Sequence, residues 1–595
     1  MFSRRADESS QRRNPPRPSA FATHLFATLL LVVLVVAKHG FAQIAPADEQ
    51  KNTVRGTVVN SVTQAPVPRA LVFSPDQRFA MLTDSEGHFE FTIPKTNSEN
   101  ENTNAATGIT VPDPPVSYSS RINPFQLMAR KPGFLIDRAE PRIFETSPGS
   151  DLTISVIPES LIKGRVTLST NDPASGIFVE LFSREIREGR PRWSPAGTVR
   201  TNLAGEFRFA ELARGTYKLA TREFMDNDPA ATLPGDPLYG FPPVYYPGAA
   251  DFTTASTLDL ASGQTVEADI SLVNQPYYAV RIPVTNGDIS GGVNVSVQGQ
   301  RGPGYSLGYN GTEHRIEGTL PNGLYVVEGS TYGAESATGV VNLNVKGGPT
   351  EGPPLTLVRN STISLDVKEE FSDNTWNGSG TMTTDKGTFS MHGARLYLHP
   401  VLVPDADFTQ PRGGNLRPPT GPHDDSLVFE NVQPGRYQLE LSSSRGYVAS
   451  ATMGGLDLLH EPFVVGSGAS IPIEIKLRDD CAEIDGTVTS IADRSAMLAG
   501  PAPAGGWSTE AWVYLVPLPD SPGQFQQLGA SNDGKFSYTM MAPGSYRVLA
   551  FSTQQPNLPY HDAEGMKAYE TKGPVVHLTS GQKATVQVQL ISRTE

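Results

Sequence analysis

Two histidines and one glutamate have the spacing of a candidate zinc site. His314 and Glu317 form an H-x-x-E sequence, and His423 could supply a third ligand further along the chain. The segment leads directly into residues 318–325, which have the pattern of a strand. Residues three apart in a strand point to opposite faces and could not hold one ion. We therefore predict no metal site and no cofactor.

A second candidate is a nucleophile. Residues 304–308 read G-x-S-x-G, which acts as a nucleophile elbow only between a strand and a helix. Residues 309–312, Tyr-Asn-Gly-Thr, would end a helix, so we interpret the motif as a hairpin loop. The single cysteine, Cys481, follows Asp479 and Asp480, which disfavour a reactive thiolate. These observations predict that the chain is not an enzyme.

Turns rich in aspartate and asparagine could bind calcium. Residues 84–87 and 532–534 are of this kind, but they lack the further carboxylates that would complete six oxygen ligands. Turn formation explains them, because Asp, Asn and Gly tolerate left-handed backbone conformations. The alternative interpretation is that these turns bind calcium ions that stabilise the fold.

Aromatic residues outside the alternating strands are the candidate ligand contacts. Sugars are bound by aromatic faces beside polar groups, and simple loop packing is the alternative. A polar loop, residues 560–564, is a candidate of the same rank. The predicted aromatic contacts are Trp193, Tyr245, Tyr246, Trp376 and Trp507.

The elements that would position these residues repeat along the chain. A Gly-x-Tyr sequence recurs four times at intervals of about 110 residues, the size of one domain. Short runs of alternating apolar residues surround it and predict strands with one buried face. We expect each tyrosine to be a core anchor. The four are Tyr217, Tyr325, Tyr437 and Tyr546.

About seven short strands per repeat, with frequent turn signals, are typical of a Greek-key β-sandwich. We predict an all-β chain of about five such domains after a signal peptide. The first domain carries a polar insertion, about 95–119, and Phe125 takes the place of its tyrosine. The predicted ranges are 1–42 for the signal peptide and 53–158, 159–275, 276–358, 359–478 and 479–595 for the sandwiches, of which 276–358 has the weakest strand signals.

The N-terminus predicts export. Five arginines precede an apolar run, Leu25 to Ala37, and cleavage is expected after Ala42. An uncleaved anchor is the alternative, although about 13 apolar residues are short for a membrane span. The chain has a formal net charge of −14 and loses basic residues with this segment. Such an acidic chain would be repelled by nucleic acid.

Several motifs resemble the carboxypeptidase regulatory-like domains, which are transthyretin-like sandwiches also grouped with starch-binding-like folds. The resemblance depends on residues 56–58, 66–72 and 83–91, and on residues 201–209 with Tyr217 in the second repeat. It covers most of residues 53–595. The resemblance implies a transthyretin-like fold and carbohydrate binding, since some relatives bind carbohydrate.

These patterns together predict an exported, non-catalytic binding or scaffold protein. Its expected location is the periplasm, the cell envelope or the medium, with no membrane span after signal cleavage. Its expected partners are polysaccharide or envelope proteins. An accessory module of a metallocarboxypeptidase, or a cryptic one, is the alternative function.

Overall fold

The structure is a computed structural model of the chain. The predicted signal peptide, the predicted insertion and Phe125 lie outside the described residues. The described residues are 53–74, 79–92, 126–135, 144–145, 151–226, 238–286, 292–299, 302–333, 336–372, 379–384, 387–392, 397–408, 414–418, 424–468, 470–489, 511–519, 521–531 and 533–591.

The described residues are nearly all β, and they form five successive sandwiches of two facing sheets. The chain divides into two compact units, Met1–Ile157 with the first sandwich and Pro158–Glu595 with the other four. The first sandwich contains β1 (Thr53–Asn60), β2 (Leu71–Phe73), β3 (Ala80–Leu82), β4 (His88–Thr92), β5 (Gln126–Arg130), β6 (Phe144–Glu145) and β7 (Asp151–Val156).

The second and third sandwiches follow without a break in the strand pattern. The second contains β8 (Ser160–Leu168), β9 (Phe178–Arg187), β10 (Arg190–Arg200), β11 (Glu206–Leu212), β12 (Gly215–Thr221), β13 (Phe224–Asp226), β14 (Leu238–Phe241), β15 (Leu258–Leu260), β16 (Thr265–Glu267) and β17 (Ile270–Leu272). The third contains β18 (Gln275–Thr285), β19 (Asn294–Gly299), β20 (Gly302–Tyr305), β21 (Gly308–Asn310), β22 (Arg315–Pro321), β23 (Gly323–Ser330), β24 (Ala337–Val345), β25 (Thr350–Glu351), β26 (Leu355–Thr356) and β27 (Val358–Arg359).

The last two sandwiches complete the array. The fourth contains β28 (Ser361–Glu370), β29 (Ser379–Thr384), β30 (Gly387–His392), β31 (Leu398–Pro404), β32 (Asn415–Leu416), β33 (Leu427–Val432), β34 (Gly435–Ser443), β35 (Tyr447–Met453), β36 (Leu456–Asp457), β37 (Phe463–Val465) and β38 (Ile473–Arg478). The fifth contains β39 (Ala482–Val488), β40 (Ala511–Pro517), β41 (Gln526–Ala530), β42 (Lys535–Met541), β43 (Gly544–Phe551), helix α1 (Ala563–Met566), a 3₁₀ turn (Lys567–Tyr569), β44 (Val575–Leu578), β45 (Lys583–Val588) and β46 (Leu590–Ile591).

One pairing scheme recurs in all five sandwiches. The first strand pairs antiparallel with the strand before the Gly-x-Tyr position and parallel with a strand near the end of the repeat. These triplets are β4-β1-β7, β11-β8-β16, β22-β18-β25, β33-β28-β38 and β42-β39-β45. In the facing sheet, the strand that begins with the Gly-x-Tyr sequence has a partner on each side, as in β9-β12-β15 and β40-β43-β44. The prediction of tandem β-sandwiches is confirmed.

The four tyrosines make one repeated contact. Each is buried, from 0% exposed at Tyr546 to 6% at Tyr217. Each hydroxyl donates a hydrogen bond to the carbonyl four residues earlier, at 2.7–2.8 Å. The glycine two residues before leaves room for the ring, since a Cβ at Gly323 would lie 2.8 Å from the Tyr325 hydroxyl. The prediction that these tyrosines anchor the cores is confirmed.

The first strand of a sandwich also contains a glycine, which is needed for a different reason from the glycine before the tyrosine. Gly56 lies opposite Phe89 and Gly164 lies opposite Phe207 across antiparallel pairs. A Cβ at Gly164 would lie 2.1 Å from the carbonyl oxygen of Ala268 and 2.9 Å from the Phe207 ring. Glycine is therefore needed for a close approach, and the aromatic ring covers the space that it leaves.

Each sandwich has its own apolar core between its two sheets. One side chain that is 0% exposed marks each core: Ile154, Leu219, Ile316, Leu402 and Val548. The exact domain ranges stay a prediction. Strand β14 pairs with β18, so hydrogen bonds cross the predicted boundary between the second and third sandwiches. No helix among the described residues has the length and apolar character that a membrane crossing needs.

Candidate functional site

The H-x-x-E pair belongs to a hairpin. His314 lies in the turn before β22, with φ +49°, and its Nδ1 is 3.3 Å from the Tyr309 hydroxyl. Glu317 lies in β22 and accepts hydrogen bonds from Asn310 Nδ2 at 2.9 Å and Arg315 Nε at 2.7 Å. These bonds, that of Asn310 first, lower the pKa of Glu317. The prediction that both residues lie in a strand was wrong for His314, because the turn residue takes a left-handed conformation.

The third candidate ligand, His423, lies outside the described residues. Among the residues that are described, no three His, Cys, Asp or Glu side chains are grouped to hold a metal ion. Burial, and after it the charges of Asp479 and Asp480, raises the thiol pKa of Cys481 to about 11. The shift has the direction that the two neighbouring carboxylates predict.

The G-x-S-x-G segment links two sheets. Gly302–Tyr305 forms β20, which pairs with β19, and Gly308–Asn310 forms β21, which pairs with β22 of the facing sheet. The prediction of a hairpin loop was therefore wrong, since the two flanking strands do not pair with each other. Ser306 is exposed in a link that no helix follows.

The Asp and Asn turns use their side-chain oxygens on their own backbone. Asp84 Oδ1 accepts from the amides of Glu86 and His88, and Asn202 Oδ1 accepts from those of Ala204 and Glu206. The His88 amide is the main reason that the pKa of Asp84 is lowered. The glycine that ends each turn has φ near +75°, as the sequence predicts.

Three of the five predicted aromatic contacts fall among the described residues. Trp193 lies within β10, so the prediction that it is outside the strands was wrong. Two prolines gave that segment the look of a loop, but β10 is an edge strand, where proline is tolerated. Tyr245 is 3% exposed, and Tyr246 is half-buried against the second core. Trp376 and Trp507 lie outside the described residues.

Trp193 and Tyr245 meet in one aromatic cluster. They pack with Phe182, Phe252 and Phe408, and the ring of Phe252 has its centroid 5.3 Å from Trp193 and 4.5 Å from Phe408. Phe408 belongs to the fourth sandwich and the other four to the second. A ligand could reach Tyr245 only if this cluster opened.

A buried lysine completes the cluster. Lys218 is 6% exposed, and its Nζ donates to the carbonyl oxygen of Phe252 at 2.6 Å. The ammonium lies 4.6 Å from the Phe252 ring centroid and 5.2 Å from that of Trp193, within the range of a cation–π interaction. Burial lowers its pKa. The charge therefore stabilises the packing of two rings of the second sandwich, against which Phe408 of the fourth sandwich packs.

The hairpin β9–β10 reaches two other sandwiches. Glu188 and Gly189 form its two-residue turn, both with positive φ, as a type I′ hairpin requires. Trp193 N–H donates to the carbonyl of Asp407 at 2.7 Å, and His561 N–H donates to that of Gly189 at 3.0 Å. We call these contacts of the hairpin with residues 404–408 and 560–561 the hairpin seam.

The hairpin seam contains polar side chains, of which Arg192 is the most deeply buried. Arg192 is 5% exposed, and its Nη1 donates to the carbonyls of Pro404 at 2.8 Å and Ala406 at 2.6 Å. His561 keeps an exposed surface, and partial desolvation by the surrounding atoms, with the nearby Arg190 charge after it, lowers the pKa of His561 to about 4. Tyr560 stacks on Phe525 with ring centroids 3.8 Å apart. The polar loop predicted as a ligand site thus carries an inter-sandwich contact.

A second buried junction lies between the second and third sandwiches. Burial raises the pKa of Glu223 to about 7, and the Tyr277 hydroxyl and the Ser306 backbone lower it only in part. Tyr277, from β18, is 2% exposed. Glu223 is thus a partly buried carboxyl group that releases its proton at a higher pH than an ordinary glutamate.

The length of its two strands distinguishes the hairpin, although the prolines of β10 hide that length in the sequence. β9 and β10 are 10 and 11 residues long, well above the usual strand of about 5 or 6. A hairpin of that length extends beyond its own sandwich and needs a partner. The partners, Phe408 and Tyr560, carry no local mark of their role.

Comparisons with known proteins give only distant matches. No protein-family model matches the chain, and no curated protein matches its sequence. The Bacillus anthracis TIE protein is 10% identical over 70% of this chain and 68% of its own, with a TM-score of 0.14. The full-length RrgB pilus protein from Streptococcus pneumoniae is 9% identical over 73% of this chain and 98% of its own, with a TM-score of 0.14. At these TM-scores the alignments support no conclusion about arrangement or function.

Proposed function

We propose that the chain is an exported, non-catalytic scaffold of carboxypeptidase regulatory-like sandwiches that acts at the cell envelope. One observation carries the proposal: the hairpin seam binds the second, fourth and fifth sandwiches to one another through aromatic packing and backbone hydrogen bonds. Such contacts hold loops of separate domains in a fixed arrangement, which is what a multivalent binding platform requires.

The side chains that resembled catalytic groups support the same proposal. Glu317 is held by Asn310 and Arg315, and Asp84 is held by the amides of its own turn. Groups bound in this way are poorly placed to transfer protons or to coordinate a metal. The recurring first-strand glycine with its aromatic partner supports the family resemblance.

Export can be tested on the full-length chain. We expect mass spectrometry of the exported protein to find an N-terminus after Ala42 and fractionation to find the protein outside the cytoplasm. Recovery of only the intact chain in the cytoplasm would contradict the proposal. Metal analysis of the same sample addresses the metallopeptidase alternative, which requires bound zinc.

Carbohydrate is the proposed ligand class. Trp376 and Trp507, which lie outside the described residues, are candidate contacts, and Tyr246 is a third. The exported protein would be titrated against a polysaccharide panel, and then Trp376→Ala and Trp507→Ala would be titrated against any glycan that binds. Leu203→Ala is a matched control, because Leu203 is 89% exposed and not aromatic. Binding that both tryptophan variants retain would exclude these residues, and absence of binding would exclude the ligand class.

A further inference from the structure

The hairpin seam contains hydrogen-bond donors without acceptors. In the described part of the chain, Arg190 Nε, Arg192 Nε and Arg192 Nη2 are buried and have no hydrogen-bond partner. Buried donors are rarely left unpaired, because each loses its hydrogen bonds to water and gains none in return. Three such atoms on two neighbouring arginines therefore need an explanation.

The geometry of Arg192 indicates what is missing. Its Nη1 is fixed by two carbonyls of the fourth sandwich, so the guanidinium has a set orientation. The unpaired atoms, Nε and Nη2, form one edge of the planar group. That edge donates two parallel hydrogen bonds and matches two oxygens on one centre, as in a carboxylate, phosphate or sulfate.

Arg190 adds a second donor on the same side. It lies two residues before Arg192 in β10, where the pairing with β9 is regular, so both side chains point to one face. Burial is the main reason that the pKa of Arg190 is lowered, and the charges of Asp405 and Glu440 oppose this shift. Asp405 raises that pKa, but its oxygens are already held by Arg436 at 2.9 Å and Gln438 at 3.3 Å.

We propose that Arg190 and Arg192 form an oxoanion-binding site within the hairpin seam, with the Nε–Nη2 edge of Arg192 holding two oxygens of the anion. The site would bind a small oxoanion and hold the second sandwich against the fourth. It does not depend on the proposed envelope function, since any chain with this seam would carry it.

The test is anion binding to the full-length chain. Isothermal titration with phosphate, sulfate and acetate, at ionic strength matched with chloride, should show saturable binding at one site per chain for at least one of the three. The same anion should raise the melting temperature in a saturable way. Preference for phosphate or sulfate over acetate distinguishes a tetrahedral anion from a carboxylate.

Arg192→Lys is the decisive variant, because lysine keeps the charge but lacks the two-donor edge. We expect binding to weaken by at least about tenfold. The matched control is Arg187→Lys on the same hairpin, where the exposed Arg187 pairs with Glu185, and its binding should be unchanged. Equal binding in Arg192→Lys and the control would overturn the proposal.

Loss of the seam itself could mimic loss of the site. Arg190→Gln covers this case, because it leaves the two hydrogen bonds from Arg192 to the fourth sandwich in place, and it should also weaken binding. A crystal structure grown with the bound anion should place it at Arg192 Nε and Nη2. Ordered water alone at these atoms, or no saturable heat for any of the three anions, would overturn the proposal.

Discussion

The five sandwich cores and the hairpin seam are built in opposite ways. Four of the five cores repeat one design, in which a tyrosine packs over a glycine and donates to the carbonyl four residues earlier. The hairpin seam occurs once and joins residues that are far apart in sequence, such as Arg192 and Pro404. Repeated local contacts make each domain stable, and the distant contacts of the hairpin seam hold the second sandwich against the fourth and the fifth.

The largest expected effect is in a core. Tyr437→Ala removes a buried ring and its hydrogen bond, which should cost about 3–5 kcal/mol of unfolding free energy in the fourth sandwich. Denaturant unfolding followed by circular dichroism would measure this cost. Tyr437→Phe keeps the ring and should lose only about 1 kcal/mol. An unchanged unfolding curve for Tyr437→Ala would mean that the repeated tyrosine is not an anchor.

Acid should weaken the hairpin seam through His561. Its pKa in the folded protein is about 4, below the ordinary 6.5, so the unfolded state binds the proton more readily. The stability that neutral His561 provides is complete above pH 6.5 and is lost as the pH falls towards 4, and because the side chain is partly exposed to solvent the loss should be only about 1 kcal/mol.

The readout is the difference between the wild type and His561→Gln, whose amide does not titrate. This difference is needed because Glu223, with its pKa of about 7, acts in the opposite sense and makes the chain less stable as the pH rises from 4.5 to 7. Parallel pH profiles for the two proteins would show that the seam does not lower the pKa of His561.

A seam substitution should open the array without unfolding the sandwiches. Phe408→Ala removes the ring that the fourth sandwich contributes to the aromatic cluster and should cost about 2 kcal/mol. We expect a larger radius of gyration in small-angle X-ray scattering and faster proteolysis of the hairpin. Phe408→Leu is the control and should change both less. An unchanged scattering curve for Phe408→Ala would contradict the seam.

The smallest effect concerns a repeated threonine. The Thr201 hydroxyl donates to the Ala174 carbonyl at 2.6 Å and accepts from the Ile177 amide at 2.9 Å, and Thr83 makes the same pair of bonds in the first sandwich. Thr201→Val should cost about 1–2 kcal/mol, because it leaves two buried groups unpaired. Thermal unfolding would measure the loss, and Thr201→Ser, which keeps the hydroxyl, should restore most of it.

The sequence predicted the cores because their information is local. Tyr217 and its glycine are two residues apart, and Asp84 acts on amides within four residues. The pattern of alternating residues identified the strands for the same reason. Trp193 was misplaced because its flanking prolines suggest a loop, whereas proline is tolerated on an edge strand.

The hairpin seam could not be predicted in the same way. Nothing near Phe408 or Tyr560 indicates a partner in another domain, and pairing across some 200 residues has no period to detect. The role of Arg192 depends on carbonyls of the fourth sandwich, which are backbone atoms and leave no mark in the sequence.

Two backbone amides test the hairpin seam most directly. The Trp193 amide donates to Asp407 and the His561 amide donates to Gly189, so each bond crosses between sandwiches. Hydrogen exchange at residue resolution on the full-length chain should find both amides protected, and Phe408→Ala should remove the protection at Trp193 while the amide of Leu219 in the second core stays protected. Exchange of Trp193 and His561 at the rate of an open chain in the wild type would contradict the account.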